Sequence, residues 1–230
     1  MKSLNEYKNN VTSQAGEDGI LEYLCSRFGI EKGWCVEFGA WDGKHLSNTW
    51  SLIQKGWSAV LIEGDPVKCE ELKKLYKDSK TVYPICAFVG FEESDPNRLD
   101  NILAGTPIPK QFDVLSVDID GNDWYVWNGL KNYQPAIVIV EANSGIPALV
   151  SKVSPANSGG GASARALVEL GKQKGYELVA HTGNCIFVRS DLYPKVGLDN
   201  NDLNILFDAR FLPGTGRSWW SRLLGMKESI

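Results

Sequence analysis

Histidine is scarce in this sequence, with two among 230 residues, and no two cysteines stand in a C-x-x-C spacing. A zinc site built on the usual Cys/His spacings is therefore not expected. Positive charge is short as well: 24 Lys and Arg face 28 Asp and Glu, for a formal net charge of -4. Nucleic acid is a poor partner for such a chain, because its binding rests on Lys and Arg neutralising phosphates. Long apolar runs are missing too, and nothing approaches the roughly 20 residues a membrane-spanning helix needs. The opening MKSLNEYKNNVTSQ has no apolar stretch of the signal-peptide kind, so a cytoplasmic location is expected. The five scattered cysteines (Cys25, Cys35, Cys69, Cys86 and Cys185) then read as small buried hydrophobes in a reducing compartment.

What is present is an ordinary globular composition, 43% hydrophobic and 23% charged, on a chain long enough for one full core. One domain over residues 1–230 is expected, with its core at about 13–190 and a helical extension over 191–230. Apolar strand-like runs at 34–38, 58–62, 82–88, 112–117 and 136–141 alternate with amphipathic segments at 18–28, 66–76, 123–130 and 163–174. That alternation predicts an α/β fold with parallel strands covered on both faces. The pattern changes near residue 175. Runs at 176–181 and 185–189 lie so close together that they must form an antiparallel hairpin. Between these regions, residues 147–161, containing SPANSGGG, read either as a lid over the ligand crevice or as a plain surface loop.

Four strand ends carry the chemistry. Glu37-Phe38-Gly39-Ala40-Trp41-Asp42-Gly43 closes the first strand with two glycines four apart, where a dinucleotide site would show G-x-G-x-x-G. Carboxylates there repel a pyrophosphate and suit a cationic ligand, such as the sulfonium and ammonium of S-adenosylmethionine. Glu63-Gly64-Asp65-Pro66 closes the second strand. Glu63 is placed to accept two hydrogen bonds from a ribose diol, with Asp65 as the cap of the next helix. The fourth strand runs into Asp118-Ile119-Asp120-Gly121, and the fifth ends in Glu141-Ala142-Asn143. Adjacent parallel strands bring Asp118, Asp120, Glu141 and Asn143 together, an oxygen cluster suited to a hydroxyl-bearing ligand or to a hard cation.

Taken together, EFGAWDG, LIEGDP, SVDIDGND, IVEANSGIP and GYELVAHTGNCIFV resemble the FkbM-type methyltransferases over roughly residues 13–190. The resemblance implies a class I methyltransferase fold: a Rossmann-like three-layer sandwich on a seven-stranded, mostly parallel sheet with an antiparallel terminal hairpin. It also implies S-adenosylmethionine as donor and a hydroxyl of a glycan, polysaccharide or glycosylated metabolite as acceptor. The family's acidic motif reads more like D-V-E-G, and this chain shortens its second carboxylate to Asp120. A looser similarity to metal-dependent O-methyltransferases maps Mg²⁺ or Mn²⁺ ligation onto Asp118 and Glu141. Their third ligand falls on Ala142, so Asn143 would have to serve.

The expected donor site comprises Glu37, Gly39, Ala40, Asp42, Gly43, Asn48, Glu63, Gly64 and Ala87. Removing a proton from a sugar hydroxyl needs a base or a metal; Asp118, Asp120 and His45 are the candidates for base or substrate ligand. His181, at the terminal hairpin, either faces the crevice or caps the turn. Trp41, Trp50, Trp124 and Trp127 offer flat faces for a sugar or fill the core. The tail, with Trp219 and Trp220 beside Arg217 and Arg222, suits a membrane surface, a partner, or packing on the domain. Two other function classes stay open: a catechol-type small-molecule O-methyltransferase, and a non-catalytic binding module on the same fold.

Overall fold

The computed structural model describes residue 1, residues 3–119 and residues 121–212. Asp120 and the tail from residue 213, including Trp219 and Trp220, lie outside the described residues.

Seven strands form one sheet: β1 (Trp34–Phe38), β2 (Ser58–Glu63), β3 (Val82–Cys86), β4 (Val114–Val117), β5 (Ile137–Glu141), β6 (Tyr176–His181) and β7 (Asn184–Arg189). Their order is β3-β2-β1-β4-β5-β7-β6, with β7 antiparallel to both neighbours and every other pair parallel. That order, reversing between β1 and β4 and closing on an antiparallel pair, is the class I methyltransferase fold. Only Thr182 and Gly183 separate β6 from β7, and Gly183 takes φ 102°, a left-handed value that a side chain would resist.

The helices are α1 (Glu17–Phe28), α2 (Trp50–Gln54), α3 (Pro66–Leu75), α4 (Leu99–Ala104), α5 (Asp123–Gly129), α6 (Ala164–Gln173), α7 (Tyr193–Val196) and α8 (Leu203–Leu206). Side chains alternate across each strand, which divides the core in two. Val36, Phe38, Val60 and Ile62 pack with Leu103, Trp127 and Leu167 of α4, α5 and α6. Cys35, Ala59 and Leu61 pack on the other face with Ile20, Leu24, Leu52 and Leu72 of α1, α2 and α3. The sheet is thus covered on both sides, as its continuous apolar runs predict.

Local signals set the helix starts. The Asp65 carboxylate accepts from the amides of Val67 and Lys68 with Pro66 behind it, and the Ser163 hydroxyl accepts from the Ala166 amide. Beyond β7, the described part of the expected helical extension holds two single-turn helices, α7 and α8, and a 3₁₀ turn at Ala209–Phe211.

The reading of five separate buried thiols fails at two of them. Cys69 of α3 and Cys86 at the end of β3 form a disulfide. The helix connecting β2 to β3 folds back along the sheet edge, and that brings position 69 over the strand end. Cys25, Cys35 and Cys185 are free and buried, as expected. No helix among the described residues is long and apolar enough to cross a membrane.

Candidate functional site

A cavity of about 640 Å³ opens at the carboxyl ends of β1, β2 and β4, with the segment after β3 as a further wall. This is where an open α/β sheet reverses strand order and where such sheets take ligands, and the volume suits a drug-sized molecule. Glu37, Gly39, Ala40, His45, Asn48, Glu63, Gly64, Ala87 and Asp118 line it. The donor-site candidates Asp42 and Gly43 do not, and neither do the metal-ligand candidates Glu141 and Asn143.

Gly39 has φ 71°, and a Cβ there would collide with the carbonyl oxygen of Asp118. Absence of that Cβ lets the β1 turn pass close to the β4 end and leaves backbone as the cavity floor.

Glu37 is 5% exposed, and its carboxylate is used by the protein itself. It accepts from the Asn48 amide at 2.7 Å, the Ser47 hydroxyl at 2.5 Å and the Thr49 hydroxyl at 2.7 Å. Burial pushes its pKa up, against the downward pull of the Ser47 and Thr49 hydroxyls. Glu37 therefore braces the returning loop from beneath. Asn48 donates its side-chain N–H to Ser116 Oγ of β4 at 3.0 Å, so the same loop is tied to two strands. The helix-cap alternative for Asn48 does not hold: Thr49 is the cap residue of α2, and the Ser47 hydroxyl accepts the amides of Thr49 and Trp50.

Glu63 does comparable work from β2. Its carboxylate accepts from the Trp41 amide at 2.7 Å and from the Asp65 amide at 2.8 Å. Trp41 takes φ 48°, and Lys68 Nζ lies 3.7 Å from the centroid of its ring. The exposed His45 presents its ring edge-on to Trp41 with centroids 5.2 Å apart. Asp42 accepts from the amides of Lys44 and His45; burial raises its pKa, those amide bonds outweigh it, and the net shift is downward. Its role is to shape the turn. Gly43 sits against Leu72 and Tyr76 beside α3. Of the four candidate sugar platforms only Trp41 lines the cavity, while Trp127 is fully buried in the core.

The glycine-rich loop after β5 reaches the cavity as a docked strap. Asn122 and Asn157 exchange hydrogen bonds, side chain to side chain and amide to side chain, both at 2.9 Å. Tyr125 donates to the Ser154 carbonyl, and Asn143 donates its side-chain N–H to the Gly160 carbonyl. Asn122 and Asn157 both line the cavity, as do Gln14 and Lys68. Asn122 lies within the SVDIDGND motif, and Gln14 within the run 13–18, which reads as polar contacts at the pocket mouth or as a helix cap; Lys68 and Asn157 carried no motif, and an asparagine in a glycine-rich loop following β5 was the available signal for Asn157. Gln14 is placed by Asp18, whose carboxylate gathers the amides of Val11, Thr12 and Ser13.

Among the described residues, the expected cation ligands are Asp118, Glu141 and Asn143. Asp118 directly follows Val117 of β4, which pairs with Val140, and Glu141 ends β5; Asn143 donates its side-chain N–H to the Gly160 carbonyl and its amide to the Ala162 carbonyl. No three His, Cys, Asp or Glu side chains among the described residues converge there as ligands.

His181 neither faces the cavity nor caps the turn through a free ring. It is 1% exposed; its Nδ1 accepts from the Asp208 amide at 3.0 Å, which leaves Nε2 as the protonated nitrogen toward Ser144 Oγ at 2.9 Å. Phe207 stacks on it with centroids 4.5 Å apart. Burial lowers its pKa to about 4.

No family model matches this chain, and no curated protein sequence matches it. Solved structures resemble it at low identity. A structure of WbdD with its C-terminal bundle ordered is 16% identical over 76% of this chain and 34% of that one, with a TM-score of 0.44. This chain thus spans about a third of that protein's length. The N-terminal domain of EvdMO1 with SAH bound is 12% identical over 76% of this chain and 80% of that one, at 0.44. A SAM dependent methyltransferase from Aquifex aeolicus is 12% identical over 73% and 87%, at 0.42.

Proposed function

We propose that this protein is an S-adenosylmethionine-dependent O-methyltransferase acting on a sugar hydroxyl. The observation that carries the donor part is the cavity itself, with the bare Gly39 turn on one side and the Glu63 carboxylate at the β2 end on the other. Glu63 accepts one amide on each oxygen and each carboxylate oxygen has a second acceptor site, enough for a ribose diol. Ala87 and Gly64 form the adjoining walls, and Asn48 lies toward the β4 side.

The donor supplies an electrophilic methyl group on a sulfonium. The chain must align an acceptor oxygen with it and take the hydroxyl proton. We assign receipt of that proton to Asp118, which lines the cavity directly after β4. His45 stands at the mouth as a substrate ligand; Asp120 shares the candidacy for base from outside the described residues.

The acceptor reading draws on charge and on the FkbM-type resemblance of the strand-end motifs. Glu37, Glu63, Glu92, Asp95 and Asp118 line the cavity against a single lysine, Lys68. Such a lining disfavours phosphorylated or polyanionic acceptors and suits a neutral polyhydroxyl compound. A nucleic-acid substrate is disfavoured on the same ground. A cytoplasmic site of action is part of the proposal, as is contact of the tail with a membrane surface or partner.

Calorimetric titration of S-adenosylhomocysteine tests the donor part: micromolar binding is expected, and no binding overturns it. Methyl transfer to neutral glycosides in preference to catechols or sugar phosphates tests the acceptor part. Preferred transfer to catechols would favour the small-molecule reading.

A further inference from the structure

We propose that the Cys69–Cys86 disulfide is a thiol-exchange site that sets the competence of the donor cavity, opened by a dithiol reductant and restored by reoxidation. The inference rests on the donor reading above. Cys86 ends β3 as the register partner of Glu63, and the next residue, Ala87, donates its amide to the Glu63 carbonyl at 3.0 Å. From Ala87 to Glu92 the chain is cavity wall. At the other end of the bridge, Cys69 lies in the opening of α3, directly after Lys68, which covers the face of Trp41. The Asp65 amide that starts this helix is held by the Glu63 carboxylate. A single covalent link therefore joins two wall segments that meet at Glu63.

The two sulfurs are unequally placed. Cys69 is fully buried, whereas Cys86 is an exposed residue on the edge strand. Exchange is then one-sided. A dithiol's thiolate attacks Cys86 Sγ, the S–S bond breaks, and its electron pair leaves on the Cys69 sulfur, which takes a proton. The second sulfur of the dithiol attacks the mixed disulfide and releases Cys86, which also ends as a thiol. The protein gains two electrons and two protons, and the dithiol becomes a disulfide. Cys25, Cys35 and Cys185 do not compete, being 5% exposed or less. After reduction, the 87–92 wall keeps the Ala87–Glu63 bond and the Gly90–Arg98 bridge but loses its covalent link to α3. A disulfide of this kind suits a reducing compartment as a sensor rather than as a staple.

The test titrates S-adenosylhomocysteine by calorimetry into protein oxidised with glutathione disulfide, the same protein reduced with dithiothreitol, and the reoxidised sample. Denatured oxidised protein should show three free thiols, those of Cys25, Cys35 and Cys185; finding every cysteine free would overturn the proposal. Reduction should raise the dissociation constant about tenfold, as the competent fraction falls to about one in ten, and reoxidation should restore it. Cys86→Ser should match the reduced protein and ignore dithiothreitol. Equal affinities in both redox states overturn the proposal. Hydrogen exchange over residues 87–92 supplies a readout that needs no ligand. If neither form binds S-adenosylhomocysteine, the donor reading falls. Faster exchange in the reduced form, with α1 unchanged, would still support the latch, and unchanged exchange would overturn it.

Discussion

The Trp41 amide donates to the Glu63 carboxylate at 2.7 Å, so the residue that follows the β1 turn is held by the residue that ends β2. One carboxylate both fixes the donor loop and faces the space where a ribose is proposed to lie. Glu63→Ala should therefore weaken S-adenosylhomocysteine binding by about 1.5–3 kcal/mol, the value of hydrogen bonds to a charged group. Calorimetry decides this, and an unchanged dissociation constant would remove Glu63 from the donor site.

Glu37 invites a different measurement, because its partners are protein groups. In Glu37→Gln, a carboxamide N–H faces hydroxyls that now donate to a carboxylate oxygen, and a buried group loses its partner. A loss of about 1–3 kcal/mol in folding stability is expected, read by denaturant unfolding. Stability equal to the parent would show that the network does not brace the loop.

Asn122 and Asn157 test the strap. Asn157→Ala removes the side-chain acceptor of the pair, although the Asn157 amide can still donate to Asn122. Residues 154–161 should exchange amide hydrogens severalfold faster, while α6 keeps its protection. Should exchange in that loop stay as it was, the pair is not what docks it.

His181 gives an acid-side signature. Its folded-state pKa is held down to about 4 from an ordinary 6.5, first by burial, with Lys8 adding to the depression and Asp208 opposing it. Below pH 6.5 the unfolded chain takes a proton that the folded chain refuses until about pH 4. Stability from this group therefore falls as pH drops through that window, by roughly 3 kcal/mol in all. His181→Asn should flatten the slope of stability between pH 6.5 and 4; an unaltered slope would assign acid sensitivity elsewhere.

Metal dependence is checked by exhaustive chelation. With no three His, Cys, Asp or Glu ligands converging among the described residues, S-adenosylhomocysteine affinity should survive it. Activity lost on chelation and restored by Mg²⁺ would call for a site that includes Asp120.

Much of the fold was legible because it follows from periodicity. Five apolar runs, the amphipathic crossovers and the short link Thr182-Gly183-Asn184 fix the parallel core and its antiparallel end. Strand ends were legible too, since Gly39, Glu63 and Asp118 converge by topology alone. What stayed hidden depends on which groups meet across the fold. The Cys69–Cys86 pairing requires knowing how α3 lies on the sheet edge. The commitment of Glu37 to Ser47 and Thr49, and of His181 to Asp208, requires the path of a loop and of a terminal segment. A carboxylate beside a glycine turn reads the same in sequence whether it meets a ligand or its own backbone. Expected strand limits at 82–88 and 112–117 shorten to Val82–Cys86 and Val114–Val117, with residues 87 and 88 joining the cavity wall.

The course of the 41–49 loop is written in the sheet rather than in the loop. Glu37 and Glu63 grip it largely through amide hydrogens and two hydroxyls, and Asp42 takes the amides of Lys44 and His45 whatever their side chains are. Both of those side chains are exposed, and His45 lines the cavity. Randomising positions 44 and 45 should therefore leave the scaffold intact while changing the gate, which makes this dipeptide the natural place to retune what the cavity admits.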